Sequence, residues 1–475
     1  MIFIHTLKRI SRRTVLVILA GLPVGSWVPL ALGNDFESLE QQIQNQQSLV
    51  ATLESHRDYA NHKLLEPLLE LARTQVLANR FDDARESLSH AAQVVRIRDG
   101  LFAASQYSII EQTIENDIRR GAWQAATEQL EHLQWLYAER FQGSVEEQVE
   151  HLMWASDTHL RGVFDDQEVR VVQHLKDATR LNTLAFQLAS RQDSLEVRAR
   201  VAYSLAQKHH LEAQGIRLGD QIGFKIRSHM PESGRVDDRK KALLQRYNAG
   251  LGALWDVRDQ VQQLQPDNAE ALAMIDISIA DWQLLFNKRE ALQEYPRLYK
   301  RLQAAGIDRQ KLDALFAQPV TLPRPALYLD LESALAAADM ARTGPFTLIE
   351  RSAYFPGIFA ATLPDSPGLP GRRDSYLSAE AELLLDPFKS TKAWLGGTLR
   401  TNWGTASEIR FGENSDSRQE DLSQRLIAPI QELHLRPAVV DGELRASTVA
   451  VRYLVRHSNP ARAISVWDAL QVSQL

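Results

Sequence analysis

The sequence predicts a mainly α protein: an α-solenoid of helical hairpins followed by a small α+β domain. Three observations carry that prediction. From Asn34 to about Leu315 apolar residues recur at three- and four-residue intervals, and Gly and Pro are sparse. Inside this stretch one order of large, small and turn residues returns 42 positions later. After Ser375 the apolar period changes from 3.6 to 2.

Composition sets outer bounds. A chain of 475 residues is too long for one ordinary core, so two or three domains are expected. Apolar residues at 44% and charged residues at 24% mark a globular chain. A net charge of -6 gives no global basic field, which argues against nucleic acid as a partner. There is no cysteine, which rules out disulfides, thiolate catalysis and Cys-ligated metals.

Residues 1–33 form the first element. Lys8, Arg9, Arg12 and Arg13 precede a run without charge from Thr14 to Gly33, broken by Gly21, Pro23, Gly25 and Pro29 and closed by Ala31-Leu32-Gly33. This is the layout of a secretory signal peptide with a small-residue cleavage site. The run also approaches the length of a membrane span, so an uncleaved anchor is the alternative. Both place the remainder outside the cytoplasm, and the only expected membrane contact is through this segment if it stays uncleaved.

Residues 34–316 carry the repeat. Leu68, Leu71 and Ala72 share one helical face, and after a short break come Phe81, Ala84, Leu88 and Ala91. Ile110, Thr113 and Ile114 likewise precede Gly121, Trp123, Ala126, Leu130 and Leu133. Small residues at Ala84 and Ala126 let a neighbouring helix approach, while Phe81 and Trp123 plug the gap beside them. One hairpin cannot bury its own apolar face, but a stack of copies can. A third copy is expected around Trp154, Ala155, Gly162 and Phe164, with Gln167 in place of Ala, and a last one around Ala280, Trp282, Ala291 and Tyr295. The intervening "LEVRARVAYSLAQKHHLEAQG" reads as helix without clear phase, and "SHMPESG" predicts a loop near 229–236.

This order of residues resembles the tetratricopeptide repeat (TPR), in the variant with lengthened helices. The resemblance implies protein–protein interaction through a concave groove lined by polar residues of the first helix of each repeat. Arg73, Asn79, Gln112 and Asn116 are the candidate partner-binding residues on that ground.

Eight prolines fall between Pro319 and Pro370, so 317–374 reads as a Pro-rich linker, with a strand hinted at in "FTLIERSAYF". Residues 375–460 read as strand, strand, helix, strand, strand, leaving 461–475 as a tail. "LSAEAELLLD" is the first strand, Asn402-Trp403-Gly404 predicts a hairpin turn, "DSRQEDLSQRLIAPIQEL" a helix, and Asp441-Gly442 a second hairpin turn. Val449, Val451, Tyr453 and Val455 fall on one face of the last strand.

In that ending Leu435, Arg436, Pro437, Asp441 and Gly442 stand in the order found in TonB-like carboxy-terminal domains, which the last 80 or so residues resemble. The resemblance implies a small α+β domain of the bacterial envelope that pairs an edge strand with a partner, in keeping with a periplasmic location. An envelope transport or energy-transducing component, anchored by an uncleaved amino-terminal helix, is the alternative to a scaffold or adaptor. The chain lacks the long Pro-Lys and Pro-Glu spacer of such transducers.

No catalytic, metal or cofactor motif stands out, so a non-enzymatic protein without a cofactor is expected. His209-His210 are adjacent and read as solvated helix histidines pointing to different faces. Asp82-Asp83, Asp165-Asp166 and Asp237-Asp238 read as carboxylates near helix starts. Trp123, Trp135, Trp154 and Trp282 read as core.

Overall fold

The computed structural model describes residues 31–55, 62–166, 171–192, 194–218, 232–340, 342–343, 346–352, 375–395, 398–411, 430 and 433–457. The predicted features in 1–30 and 461–475, Gln167 of the third copy, and all of the helix predicted at 416–433 except Ile430 and Leu433 lie outside them.

The described residues are mainly helical, with a few small strands. In chain order the helices are α1 (Ala31–Ser55), α2 (His62–Leu77), α3 (Phe81–Asp99), α4 (Tyr107–Arg120), α5 (Trp123–Glu139), α6 (Val145–Asp165), α7 (Val171–Ala189), α8 (Leu195–Leu218), α9 (Glu232–Leu264), α10 (Ala269–Leu285), α11 (Ala291–Ala304), α12 (Arg309–Phe316) and α13 (Leu331–Met340). Each packs on the next in sequence, and the apolar core runs through them as successive clusters.

The 42-residue period is visible in the backbone. Phe81 opens α3 and Trp123 opens α5. Two residues earlier, Asn79 and Gly121 take left-handed φ values of 61° and 80°. Arg80 N–H reaches back to Gln75 O and Ala122 N–H to Asp117 O, both at 2.8 Å. The residues before each second helix match as well, with φ/ψ of −90°/65° at Arg80 and −86°/61° at Ala122. This is a Schellman ending, which satisfies the last carbonyls of α2 and α4. It recurs after α10, where Asn287 has φ 60° and Lys288 N–H bonds Gln283 O at 3.0 Å. Ala84 and Ala126, the small residues one turn into α3 and α5, are both fully buried. An Asn79→Val variant is therefore expected to lose about 1–2 kcal/mol, because a β-branched residue resists the left-handed region, whereas Asn79→Gly should be neutral or better. Urea denaturation of the two variants checks this.

Between the first two hairpins the joints are polar. Arg85 of α3 bonds the fully buried Asp117 of α4 at 2.5 Å, and Arg120 pairs with Asp82. Burial pushes the Asp117 carboxyl up, and Arg85 opposes the shift. Asp82 and Asp83 lie in the first turn of α3, where carboxylates meet free N–H groups. Asp165 and Asp166 instead sit at the end of α6, and Asp166 Oδ2 accepts from His174 Nε2 across the hairpin at 3.1 Å.

The third copy differs from expectation. Gly162 lies inside α6 rather than in a turn, and Phe164 belongs to the same helix. A Cβ at Gly162 would come within 2.7 Å of the His174 ring, so this glycine is where α6 and α7 approach closely. In the last copy Ala280 and Trp282 are buried on α10, and Ala291 and Tyr295 on α11. Trp135 departs from the predicted core and is 41% exposed. It packs against Phe102, with Arg140 over both rings.

Helix α8 explains why the stretch from Leu195 shows no clear phase. Between Val201 and Ile216 nearly every residue of α8 is buried, and α10 is apolar nearly all round. A helix buried on all sides shows no amphipathic stripe. His209 and His210 are consequently buried, at 7% and 2% exposure, not solvated. The predicted loop at 229–236 overlaps α9, which starts at Glu232.

The predicted linker is folded over its first part. β1 (Val320–Thr321) pairs with β8 (Leu435–Arg436), Leu322 and Arg324 are buried, and Leu331 and Ala334 of α13 enter the core. Prolines here end helices and fix an extended path rather than free the chain.

The five-stranded sheet takes the order β2 (Arg342–Thr343), β3 (Phe346–Ser352), β11 (Ser447–His457), β4 (Ser375–Leu385), β7 (Glu408–Phe411), with only β3 and β11 parallel. The strand predicted in "LSAEAELLLD" is β4. The hairpin predicted at Asn402-Trp403-Gly404 is displaced. β5 (Thr391–Leu395) pairs with β6 (Thr398–Asn402), and Leu395 opposite Thr398 puts the connection at 396–397, a Gly-Gly pair in sequence. Asp441 and Gly442, at φ 54° and 77°, do join β9 (Ala438–Val440) to β10 (Glu443–Arg445) as a type I′ turn.

Asn402, Trp403 and Gly404 dock on the helices instead. Asn287, at the α10–α11 turn, donates to Asn402 Oδ1 at 3.2 Å, and its own Oδ1 accepts from Trp403 N–H and His434 Nε2 at 3.1 Å each. Gly404, at φ 70°, lies against Leu284 so closely that a Cβ would meet it at 2.7 Å. Arg436 makes the deepest link, a buried two-point ion pair with Asp281 of α10, Nε to Oδ1 at 2.8 Å and Nη2 to Oδ2 at 2.5 Å.

Candidate functional site

The four residues predicted to bind a partner are not gathered at one place. Arg73 is exposed and pairs with Glu70 one turn earlier. Asn79 is the left-handed residue that ends α2. Gln112 donates to Ser108 O of its own helix at 3.1 Å. Asn116 is 1% exposed and donates to Phe81 O at 3.0 Å, holding α4 to the start of α3. Among the described residues no hydrogen bond joins any of them to another.

A cleft of about 700 Å³ lies elsewhere, between α6, α8 and residues 325–333. Positions 203 and 207 lie one turn apart on α8 and so share a face. Tyr203 Oη donates to Arg324 O at 3.0 Å, and Gln207 Nε2 donates to the same carbonyl at 2.8 Å and to Pro325 O at 3.3 Å. Proline at 323 and 325 has no N–H to donate, so around Arg324 it is mainly carbonyls that the helix can hold. At the other end Glu270 accepts from Leu331 N–H at 2.7 Å. Helices α8 and α10 thus hold this segment by its main chain.

The walls of the cleft are mixed. Met153, Leu160, Ala199 and Tyr203 supply apolar surface, joined by Leu327 and Leu329 of the segment. Lys208 is nearly fully buried, with its ammonium on Asp157 at 3.0 Å and Ser204 at 2.8 Å. Arg200 is taken by Glu150. Beneath the segment, the Arg324 guanidinium donates to Ala334 O at 3.0 Å and covers the Tyr328 ring at 4.7 Å. Burial, and Arg436 nearby, lower its pKa. Burial pulls Arg436 down too, but Asp281 outweighs that and raises it overall.

A second constellation is internal. Arg180 donates to Gln134 Oε1 at 2.6 Å, so the Gln134 amide turns its N–H to His159 Nε2. His159 must then carry its proton on Nδ1 and donate to His174 Nδ1, 3.0 Å away. His174 Nε2–H in turn meets Asp166 Oδ2 at 3.1 Å. Both rings are buried, and the wire ends on Gln134 and Arg180, not on a nucleophile. Its geometry is that of a joint between α5, α6 and α7. Among the described residues no group of three or more His, Asp or Glu is placed to hold a metal ion, and no helix is long and apolar enough to cross a membrane.

No protein-family model matches the chain, and no curated protein matches it.

Proposed function

We propose that the chain is a non-enzymatic, exported scaffold that binds protein partners along an α-solenoid of TPR-like hairpins, with its TonB-like ending locked onto the solenoid. The repeat reading is supported by the Schellman turns 42 residues apart and by the buried notch alanines. The export reading is supported by the charge and apolar pattern of residues 1–33.

One observation carries the binding role. Tyr203 and Gln207 hold residues 324–325 by their main-chain carbonyls, and about 700 Å³ beside them stays open. Main-chain recognition tolerates varied side chains, which suits an adaptor. Arg436 of the TonB-like motif is buried against Asp281 of α10 and nearby Val439 joins the helical core, so this ending serves first to close the stack.

A photo-crosslinking amino acid placed at position 326, on the rim of the cleft, tests the proposal in the native host. Discrete protein adducts are expected at 326 and not at 244, an exposed site on α9. Equal adducts at both positions, or none at 326, would remove the cleft as the binding surface.

A further inference from the structure

The cleft between α6, α8 and residues 325–333 has a charge imbalance that points to what it takes. Its two cations are already spent: Lys208 on Asp157, and Arg200 on Glu150. Two further carboxylates on its lining, Glu196 and Asp330, have no cationic partner among the described residues. Asp330 Oδ1 is occupied only by Ser333 N–H at 2.7 Å, capping the start of α13. Both acidic residues are exposed, while Met153, Leu160 and Ala199 of the same lining are buried. An apolar floor with an acidic edge is complementary to an apolar side chain next to a positive one.

Resting on the scaffold reading above, we infer that the cleft binds an extended partner segment carrying a leucine-like anchor beside Lys or Arg. The anchor sits on Met153 and Leu160, and the cation lies between Glu196 and Asp330. The volume admits one or two large side chains, not a folded domain. The chain's own 325–330 segment forms one wall, so the incoming peptide lies alongside it and need not displace the buried Arg324.

The test uses the full chain and three fluorescein-labelled capped peptides: one alternating Leu and Lys, one with Glu for Lys, one with Ser for Leu. Anisotropy at low salt is expected to show saturable binding of the Leu-Lys peptide, with each replacement weakening it about tenfold or more. Ala326→Trp should block the opening and weaken binding about tenfold with unchanged thermal unfolding. Glu196→Gln with Asp330→Asn should cost about fivefold, the scale of two exposed ion pairs, while the Asn retains the cap. If the Glu peptide binds equally well and remains sensitive to Ala326→Trp, the cationic preference is wrong although the cleft still takes a chain. If no peptide binds, or binding ignores Ala326→Trp, the assignment to this cleft is overturned. The in-cell crosslinks at 326 then judge the scaffold reading separately.

Discussion

An Asp281→Leu variant is expected to lose about 3–5 kcal/mol of unfolding free energy, the loss that follows when one partner of a buried ion pair is removed. Asp281 is 4% exposed on α10, and Arg436 is 1% exposed on β8. Besides Arg436, Asp281 accepts from Tyr295 Oη at 3.0 Å. Without the carboxylate, the Arg436 guanidinium would stay buried with Arg324 near it and no counter-charge. Arg436→Met should cost nearly as much, because it strands the carboxylate instead. The double variant should cost far less than the sum, since no buried charge is left. Urea denaturation of the four proteins yields the coupling energy. Strict additivity, or a loss below about 1 kcal/mol for Asp281→Leu, would show that the pair does not fasten the carboxy-terminal region to the helices.

That pair marks the boundary of what the sequence can disclose. The 42-residue repeat was legible because its signals are local: an aromatic at the helix start, a small residue one turn on, and a turn residue that tolerates left-handed φ. Asp441-Gly442 was legible for the same reason. Helix α8 was not, because burial on every side erases its stripe and hides Lys208, His209 and His210 among core residues. The hairpin expected at Asn402-Trp403-Gly404 failed to a competitor six residues earlier, where Gly396-Gly397 stands between the paired Leu395 and Thr398. The cleft was out of reach because Tyr203 and Arg324 are 121 positions apart, and nothing in either neighbourhood names the other. Asn116 shows the reverse error: a polar residue on a first helix looks like groove lining until its partner, the Phe81 carbonyl, is known.

The histidines lead to the second large effect, a loss of stability in mild acid. His159 lies between α5 and α7, facing Gln134, Arg180 and His174, with Asp166 beyond. Burial, then His174 and Arg180, hold its pKa well below the usual 6.5. His210 packs against Trp282 and Phe286, and burial with Arg217 and His434 lowers its pKa in the same way. In the unfolded chain both titrate near about 6.5, so below that pH the unfolded state binds protons that the folded state refuses. Stability is therefore complete above about pH 6.5 and falls as pH drops toward the folded values. Each histidine contributes a slope of up to about 1.4 kcal/mol per pH unit, so the two together approach about 2.7 between pH 6 and 5. Protonating His159 also breaks the wire: its new Nε2–H would face the Gln134 N–H and force that amide to turn its N–H toward Arg180. Unfolding free energies at pH 7.5, 6.5 and 5.5 should fall steeply in the parent chain and more gently in His159→Gln and His210→Phe, each removing about half the slope. If the variants run parallel to the parent, the acid sensitivity arises elsewhere, and these two rings titrate alike in the folded and unfolded chain.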